Sequence, residues 1–519
     1  MRDRLERRVI AHLPKWQAAD ARLKHLALMD SYLDGSIYDS LPYEFDEESL
    51  PGKTVPKQVK LHERKPSTRL NAARTISKNV ARKLFAGRHA PSLVLEEYPD
   101  KVKNIQDYLK QASTNKEMLG LAIKGSIGSV AATFKLVDVD GELHLVLSSH
   151  KATECFPVFD AAKQLIKLTI AYEVTGRWFY DQGYRKDFNG DDLEMKGKYF
   201  YIRVLDKVSE TFFQPITIAD WNPVEGPDEK LIPISEGVLQ PVAHGLGFVP
   251  SQWFVNLSGG TFPDGDCLFE PALDNVIAYD YGMSQIDLGL NNAACPVTVI
   301  KGNLVQYEDE SGKPITRPAS RYIHFEAGVK DPEGISEEGG DAKLLETSGQ
   351  GFLAKLKQLE QLKKNIAEQA SSSRKDPDKV TTAMSGKGIE LIEEEFMDLV
   401  FELRTCYGED GFLRLVKKMC LAGIEAGHKL LKGITKEMVS MLDLAWPDLH
   451  DMSPQEYQQY VTGIVQGAES NLIDGQQARD LHRAKVDVPT SHASKNSKIK
   501  PVGKLTTTTG KKNKSKESS

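Results

Sequence analysis

Between Asp264 and about His428 the chain alternates long apolar-periodic segments with an insert and a polar break, and this order constrains the fold more than any other feature. A turn, Pro263-Asp264-Gly265-Asp266, opens a helix read over 268–294, with Asp266 as N-cap and Pro271 tolerated in the first turn. Leu273, Val276, Ile277, Met283, Ile286, Leu288 and Leu290 make it apolar on more than one stripe, so it faces more than one neighbour. At 1.5 Å per residue it is roughly 35–40 Å long, enough to cross a domain. Cys295-Pro296 ends it, because the residue before proline resists helical geometry. Residues 296–350 hold short strands (VTVIKG, SRYIHFEA), many glycines and an acidic stretch from Asp331 to Asp341. A second helix spans 352–370, with Leu353, Leu356, Leu359, Leu362 and Ile366 on a narrow stripe and lysines at 355, 357, 363 and 364. The loop SSSRKDPDKVTTAMSGKG follows, and helical periodicity resumes from Ile389 to about Leu430, bent or broken near Tyr407-Gly408 or Gly411.

Two long helices flanking an insert are poor material for a compact enzyme core. They suit a subunit that stands in a ring, with helices along a channel and the insert projecting from one end. The 519 residues exceed what one hydrophobic core organises, so two to four structural units are expected. A net charge of -6 excludes a protein that coats DNA through overall positive charge and leaves local basic patches open. No run of 18 apolar residues appears, so no membrane span is read, and MRDRLERRVIAHL lacks the apolar stretch of a secretory signal. Cys155, Cys267, Cys295, Cys406 and Cys420 are scattered with no CxxC pair, which reads as buried thiols and not as a zinc site or disulfide framework.

Upstream, residues 1–40 read as helical with a kink at Pro14, and a helix over 68–86 stops at Gly87. Between Lys60 and Arg88 nine Lys or Arg stand against Glu63 alone. A solvated or acid-paired face is the simpler reading of that charge, and a nucleic-acid contact is the alternative. Residues 100–134 read as one or two helices bearing small residues. Within them Gly125-Ser126-Ile127-Gly128-Ser129 lacks the Lys-Ser/Thr of a phosphate-binding loop and is read as packing. From Lys135 to Phe254 short alternating runs predict an antiparallel sheet, with turns at Val139-Asp140-Gly141-Glu142 and Asn189-Gly190. His244 has no Ser or Cys nucleophile signature beside it and is read as a turn or core histidine. Residues 433–488 read as a small all-helical unit, and the last 25 residues, with eight lysines and one glutamate, as a disordered basic tail.

Four motifs in this order resemble the portal proteins of tailed bacteriophages, in the longer siphovirus-type family. They are LNAARTISKNVARKLFAG; GLGFVPSQWFVN followed by FEPALDNVIAYDYGMSQIDLGLNNAACPVTVIKG; SGKGIELIEEEFMDLVFELR; and WPDLHDMSPQEYQQYVTGIVQGAESNLIDGQQARDLH. Together they span roughly 400 residues of the chain. The resemblance implies an α+β ring subunit with a helical stem, a mixed α/β wing and clip, and a small helical crown. It implies a wing over 1–262, stem helices over 263–295 and 351–370, a clip over 296–350 and a tunnel loop over 371–386. A long helix over 387–432 would link the wing to a crown over 433–490, ahead of the tail at 491–519. Such a ring, usually of twelve copies, stands at one capsid vertex of the virion after assembly in the host cytoplasm and passes double-stranded DNA during packaging and ejection. Its partners would be the terminase large subunit, the head-tail adaptor, and the major capsid and scaffolding proteins, with no membrane. Arg374, Lys375 and Lys379 would lie on the loop nearest the DNA. No catalytic residue, metal or cofactor is expected, since the ATP-hydrolysing motor of the family is a separate protein. The competing reading is a packaging enzyme acting on nucleic acid, an ATPase or nuclease. It would need a phosphate-binding loop or a cluster of acidic metal ligands.

Overall fold

The computed structural model describes residues 1–45, 59–184, 195–224, 230–234, 241–294, 297–301, 341–345, 349–370 and 394–447, and singly 458, 461, 462 and 466. The tunnel-loop residues Arg374, Lys375 and Lys379, most of the insert, the Asn189-Gly190 turn and the basic tail lie outside these. The chain divides into two units, Met1–Ser453 and Pro454–Ser519. In the second, the four described residues are helical, and Thr462 Oγ1 donates to the Gln458 carbonyl at 2.7 Å.

The first unit is α+β. Its helices are α1 (Arg2–His12), α2 (Lys15–Ala19), α3 (Ala21–Asp34), α4 (Ala72–Phe85), α5 (Pro99–Gln111), α6 (Thr114–Gly125) and α7 (Gly176–Asp181). They continue as α8 (Leu273–Ala294), α9 (Gly349–Gln369), α10 (Glu394–Arg404), α11 (Arg414–Glu425) and α12 (Lys436–Ser440). The break at Pro14 falls between α1 and α2. Asp20 then caps α3 by accepting from the Leu23 amide at 2.7 Å, and Gly35 ends it at φ 85°.

The strands are β1 (Tyr43–Glu44), β2 (Arg64–Lys65), β3 (Ser92–Val94), β4 (Ser129–Val139), β5 (Glu142–Lys151), β6 (Cys155–Phe159), β7 (Leu165–Thr175) and β8 (Lys198–Leu205). After these come β9 (Ser209–Phe212), β10 (Ile216–Thr217), β11 (Val242–Ala243), β12 (Ser251–Val255), β13 (Val297–Lys301), β14 (Asp341–Leu345) and β15 (Asp443–Ala445). The antiparallel region proves to be two sheets. One runs β11-β9-β8-β7-β6 with β10 against β8, and the other runs β12-β4-β5. The β4–β5 turn forms where its sequence predicts, with Asp140 at φ 55° and Gly141 at φ 82°, two successive left-handed residues of the kind a tight hairpin requires.

The main core gathers the buried side of α4 (Ile76, Val80, Leu84), the small residues Val130, Ala131 and Ala132 of β4, and Leu415, Val416 and Met419 of α11. Small side chains on β4 let α6 and α11 approach the strand closely. The bend expected near Gly408 or Gly411 is a π-helical segment, Thr405–Leu413, continuous with α10 and α11. A Cβ on Gly408 would overlap the Trp446 ring, and one on Gly411 would overlap Phe254. These two glycines therefore admit rings where the helix widens.

Three local readings are corrected. The helix after the Asp264 turn begins at Leu273, not 268, and Asp266 is not its cap. The Leu268 amide donates to the Ser126 carbonyl at 2.9 Å, and a 3-10 turn, Glu270–Ala272, takes Pro271. The helix of the basic stretch begins at Ala72, not 68, because the Leu70 amide goes to Asp280 at 2.7 Å and Asn71 caps by accepting from the Arg74 amide. Residues 433–488 are not all helical. Asp443–Ala445 pairs antiparallel with Ser92–Val94, so this stretch closes a small sheet inside the first unit.

Candidate functional site

The long element that dominates the sequence folds as an antiparallel helical hairpin. Along α8, Asn275, Gly282 and Gly289 meet Gln369, Leu359 and Phe352 of α9 in that order, so residue numbers fall on one helix as they rise on the other. Asn275 Nδ2 donates to Gln369 Oε1 at 2.7 Å. A Cβ on Gly282 would stand 2.6 Å from Leu359 Cδ2, and one on Gly289 would stand 2.6 Å from Phe352 Cε1. The glycines thus seat the larger side chains of α9. Beyond the hairpin, β13 and β14 continue the same two connections as an antiparallel ribbon, Val297 opposite Leu345 and Lys301 opposite Asp341.

The apolar stripe read on the second helix is only partly a packing stripe. Leu359 and Ile366 are buried, but Leu353 and Leu356 are 60% and 41% exposed, and Leu290 of α8 is 53% exposed. Three large apolar side chains toward the ribbon end of the hairpin are therefore uncovered in a single copy. The two helices also differ in charge: α8 carries three aspartates and no Lys or Arg, whereas α9 carries four lysines and two glutamates.

Two carboxylates tie the hairpin to the body. Asp264, in the turn ahead of α8, accepts from Arg22 Nε at 2.5 Å and Nη2 at 3.0 Å, and from the Ser129 hydroxyl. The same turn rests on the GSIGS stretch. The Gly265 amide donates to the Gly128 carbonyl at 3.0 Å, and a Cβ on Gly128 (φ 140°) would meet the Gly265 carbonyl at 2.9 Å. GSIGS is a packing joint, as its missing Lys-Ser/Thr indicates. Asp280, buried midway along α8, accepts from Tyr38 Oη at 2.9 Å and from the Leu70 amide at 2.7 Å. Burial pushes its carboxyl up to about 6, against the pull of the Leu70 amide, the Tyr38 hydroxyl and Arg69. The Tyr281 hydroxyl donates to the Arg64 carbonyl at 2.9 Å, completing a strap of residues 64–70 across the helix. Asp280 lies within the FEPALDNVIAYDYGMSQ motif, but the sequence reading gave it no role; only its place inside an apolar helical run set it apart.

Several buried or half-buried titratable groups elsewhere among the described residues serve the structure. The Leu246 amide donates to His244 Nδ1 at 3.3 Å, and His244 Nε2 lies 3.2 Å from the Asp206 carbonyl, so this histidine pins a turn. Burial drives His150 down to about 4 and the thiols of Cys267 and Cys420 up to about 12. Lys418, lowered to about 8 by burial and then by Arg414, donates to the Ser251 carbonyl at 2.7 Å and to Gln252 Oε1 at 3.1 Å. Of the nine basic residues from 60 to 88, Lys65 and Arg69 pair with Asp39 at 2.9 and 3.6 Å, while Arg74, Lys78 and Arg82 are exposed along α4. A groove of about 480 Å³ beside α1 and α3 has Asp30 and Asp39 in its wall, each already paired with a lysine. Among the described residues no group of three His, Cys, Asp or Glu is placed to hold a metal ion, and no helix is long and apolar enough to cross a membrane.

No protein-family model matches the chain, and no curated protein matches it. Solved structures similar to it include a chain of the virion of a native gene transfer agent particle, at 11% identity and TM-score 0.36, and a chain of the neck of an empty gene transfer agent particle computed with C6 symmetry, at 12% identity and TM-score 0.37. Each likeness covers 79% of this chain and 88% of the other. Superposition at that level assigns neither fold family nor function.

Proposed function

We propose that the chain is the portal subunit of a tailed-phage-like particle, a ring-forming virion component that passes double-stranded DNA and performs no bond chemistry of its own. The observation that carries the reading is the braced hairpin. Two helices of 22 and 21 residues are joined through an antiparallel ribbon, tied to an α+β body by Asp264 and Asp280, and leave Leu290, Leu353 and Leu356 uncovered. Apolar side chains clustered at one end of an element ask for a covering surface, and neighbouring copies in a ring supply one. The four motifs in portal order add independent support from the sequence.

In this reading residues 1–262 form the wing, α8 and α9 the stem, and 296–350 the clip that seats the terminase and later the head-tail adaptor. Residues 371–386 form the tunnel loop with Arg374, Lys375 and Lys379. The crown would span 433–490, of which residues 433–447 pack within the first unit. A channel for moving DNA must not hold it, since every neutralised phosphate adds salt-dependent affinity. A subunit of net charge -6 with a few cations on one loop meets that need.

Native mass spectrometry and electron micrographs of the purified protein test the reading. Closed rings with a central opening, at a mass many times 57.7 kDa, are expected. Solid single-copy particles would refute it. ATP hydrolysis by the protein alone would favour the packaging-enzyme reading.

A further inference from the structure

Two charged rows on the surface are unused by the stem and its braces. On α4, Arg74, Lys78 and Arg82 recur every fourth residue and are exposed, opposite the buried Ile76, Val80 and Leu84. On α10, Glu394, Glu395 and Asp398 are exposed, opposite the buried Phe396, Val400 and Leu403. None of these six has an ion-pair partner among the described residues, although α4 and α10 pack against each other within the chain. Like charges four residues apart repel on a helix, so each row is better satisfied by an opposite row than by itself.

We propose that the two rows are the halves of a head-to-tail contact between copies of this chain, the α4 row of one copy docking on the α10 row of the next. The proposal rests on the ring reading above and names one of its interfaces. A heterologous contact needs two different, complementary patches on one subunit, and its repetition gives a ring when the rotation per copy closes and an open filament when it does not. Every copy brings both rows in equal number. Arg74–Lys78 and Glu394–Asp398 also share a four-residue step, about 6 Å along each helix, so charges can meet in register. Nucleic acid is the poorer occupant. The acidic helix packed beside α4 would repel phosphates drawn to the basic row, and the chain as a whole is acidic. Lys83 and Arg88 are engaged within the chain and take no part. Exposed ion pairs are individually weak and screened by salt, so this contact steers and registers copies, and the apolar stem supplies the bulk of the association.

The test uses the full chain in three forms: Arg74→Glu/Lys78→Glu/Arg82→Glu, Glu394→Lys/Glu395→Lys/Asp398→Lys, and all six changes together. Assembly is read by native mass spectrometry and sedimentation, and folding by circular dichroism. The proposal expects each triple variant to stay folded and lose rings several-fold at moderate salt, and the six-fold variant to recover them. Gln in place of Glu or Lys at the same positions should give the same losses more mildly, which guards against a reversal that disturbs the helix. Undiminished rings in either folded triple variant, or no recovery in the combined one, would overturn it. Intact rings with loss of duplex DNA retention in the basic-row variant would overturn it in favour of a nucleic-acid face. Wild-type protein that stays single-copy at every concentration would sink the ring reading itself, a different failure from rings indifferent to all three variants.

Discussion

Asp280 shows what one side chain does for the hairpin. It sits inside α8 with two donors aimed at it, and the protein accepts a carboxylate in an apolar interior to hold the 64–70 strap. Its carboxyl titrates near 6 when folded and near the ordinary 3.8 when unfolded, so the folded state binds the extra proton between about pH 4 and 6. Stability from this group is therefore complete below about pH 4 and is lost as pH rises through 6, by on the order of 3 kcal/mol. Asp280→Asn is expected to flatten that part of the pH–stability curve, keeping an acceptor for the Leu70 amide. Asp280→Ala should lower the thermal midpoint at all pH values, because it strands the buried Tyr38 hydroxyl, at about 1–3 kcal/mol, and the half-buried Leu70 amide at less. Thermal melts from pH 4 to 8 check both, and an unchanged slope in the Asn variant would show that Asp280 is not the titrating group.

At the scale of elements, glycines decide how closely helices and strands approach. Gly411 faces the Phe254 ring from the π-helical segment, and Phe254 is itself 1% exposed, so neither side can yield. Gly411→Ala should cost about 1–3 kcal/mol through overpacking, despite alanine's better helix propensity. Denaturant midpoints measure this, and a neutral or stabilised variant would mean that the segment can rewind to an ordinary α-helix. The interruption was legible in the sequence, since Gly408 and Gly411 broke an otherwise strong period. That the break would be a wider helix and not a bend was set by Phe254 and Trp446, which arrive from distant parts of the chain. The exposed Leu353 and Leu356 teach the converse. Period alone placed them with Leu359 and Ile366, but the position of α8 decides which side of α9 is covered in one copy.

For the whole molecule, the prediction concerns passage of DNA. If the proposed portal role holds, replacing Arg374, Lys375 and Lys379 with Ala is expected to leave assembly intact and lower DNA packaging several-fold, since the loop cations would make only transient phosphate contacts. Normal DNA filling of particles built with the triple variant would remove these residues from the channel. The candidate site was legible in part. The two long helices, the ribbon-forming ends of the insert between them and the packing role of GSIGS follow from local pattern and missing motif residues. The braces at Asp264 and Asp280 do not, because their partners Arg22, Ser129, Tyr38 and Leu70 lie more than 130 residues away in sequence.

Periodicity and breakers by themselves determined a mixed chain of helices and strands, with two long helices around an insert and an antiparallel middle, because these properties are written in neighbouring residues. Tertiary structure alone decided that the middle is two sheets, that 443–445 returns to pair with 92–94, and which faces of α4, α9 and α10 stay open. Those outcomes depend on which distant segments compete for the same backbone amides and the same apolar surface, and local sequence carries no record of that competition.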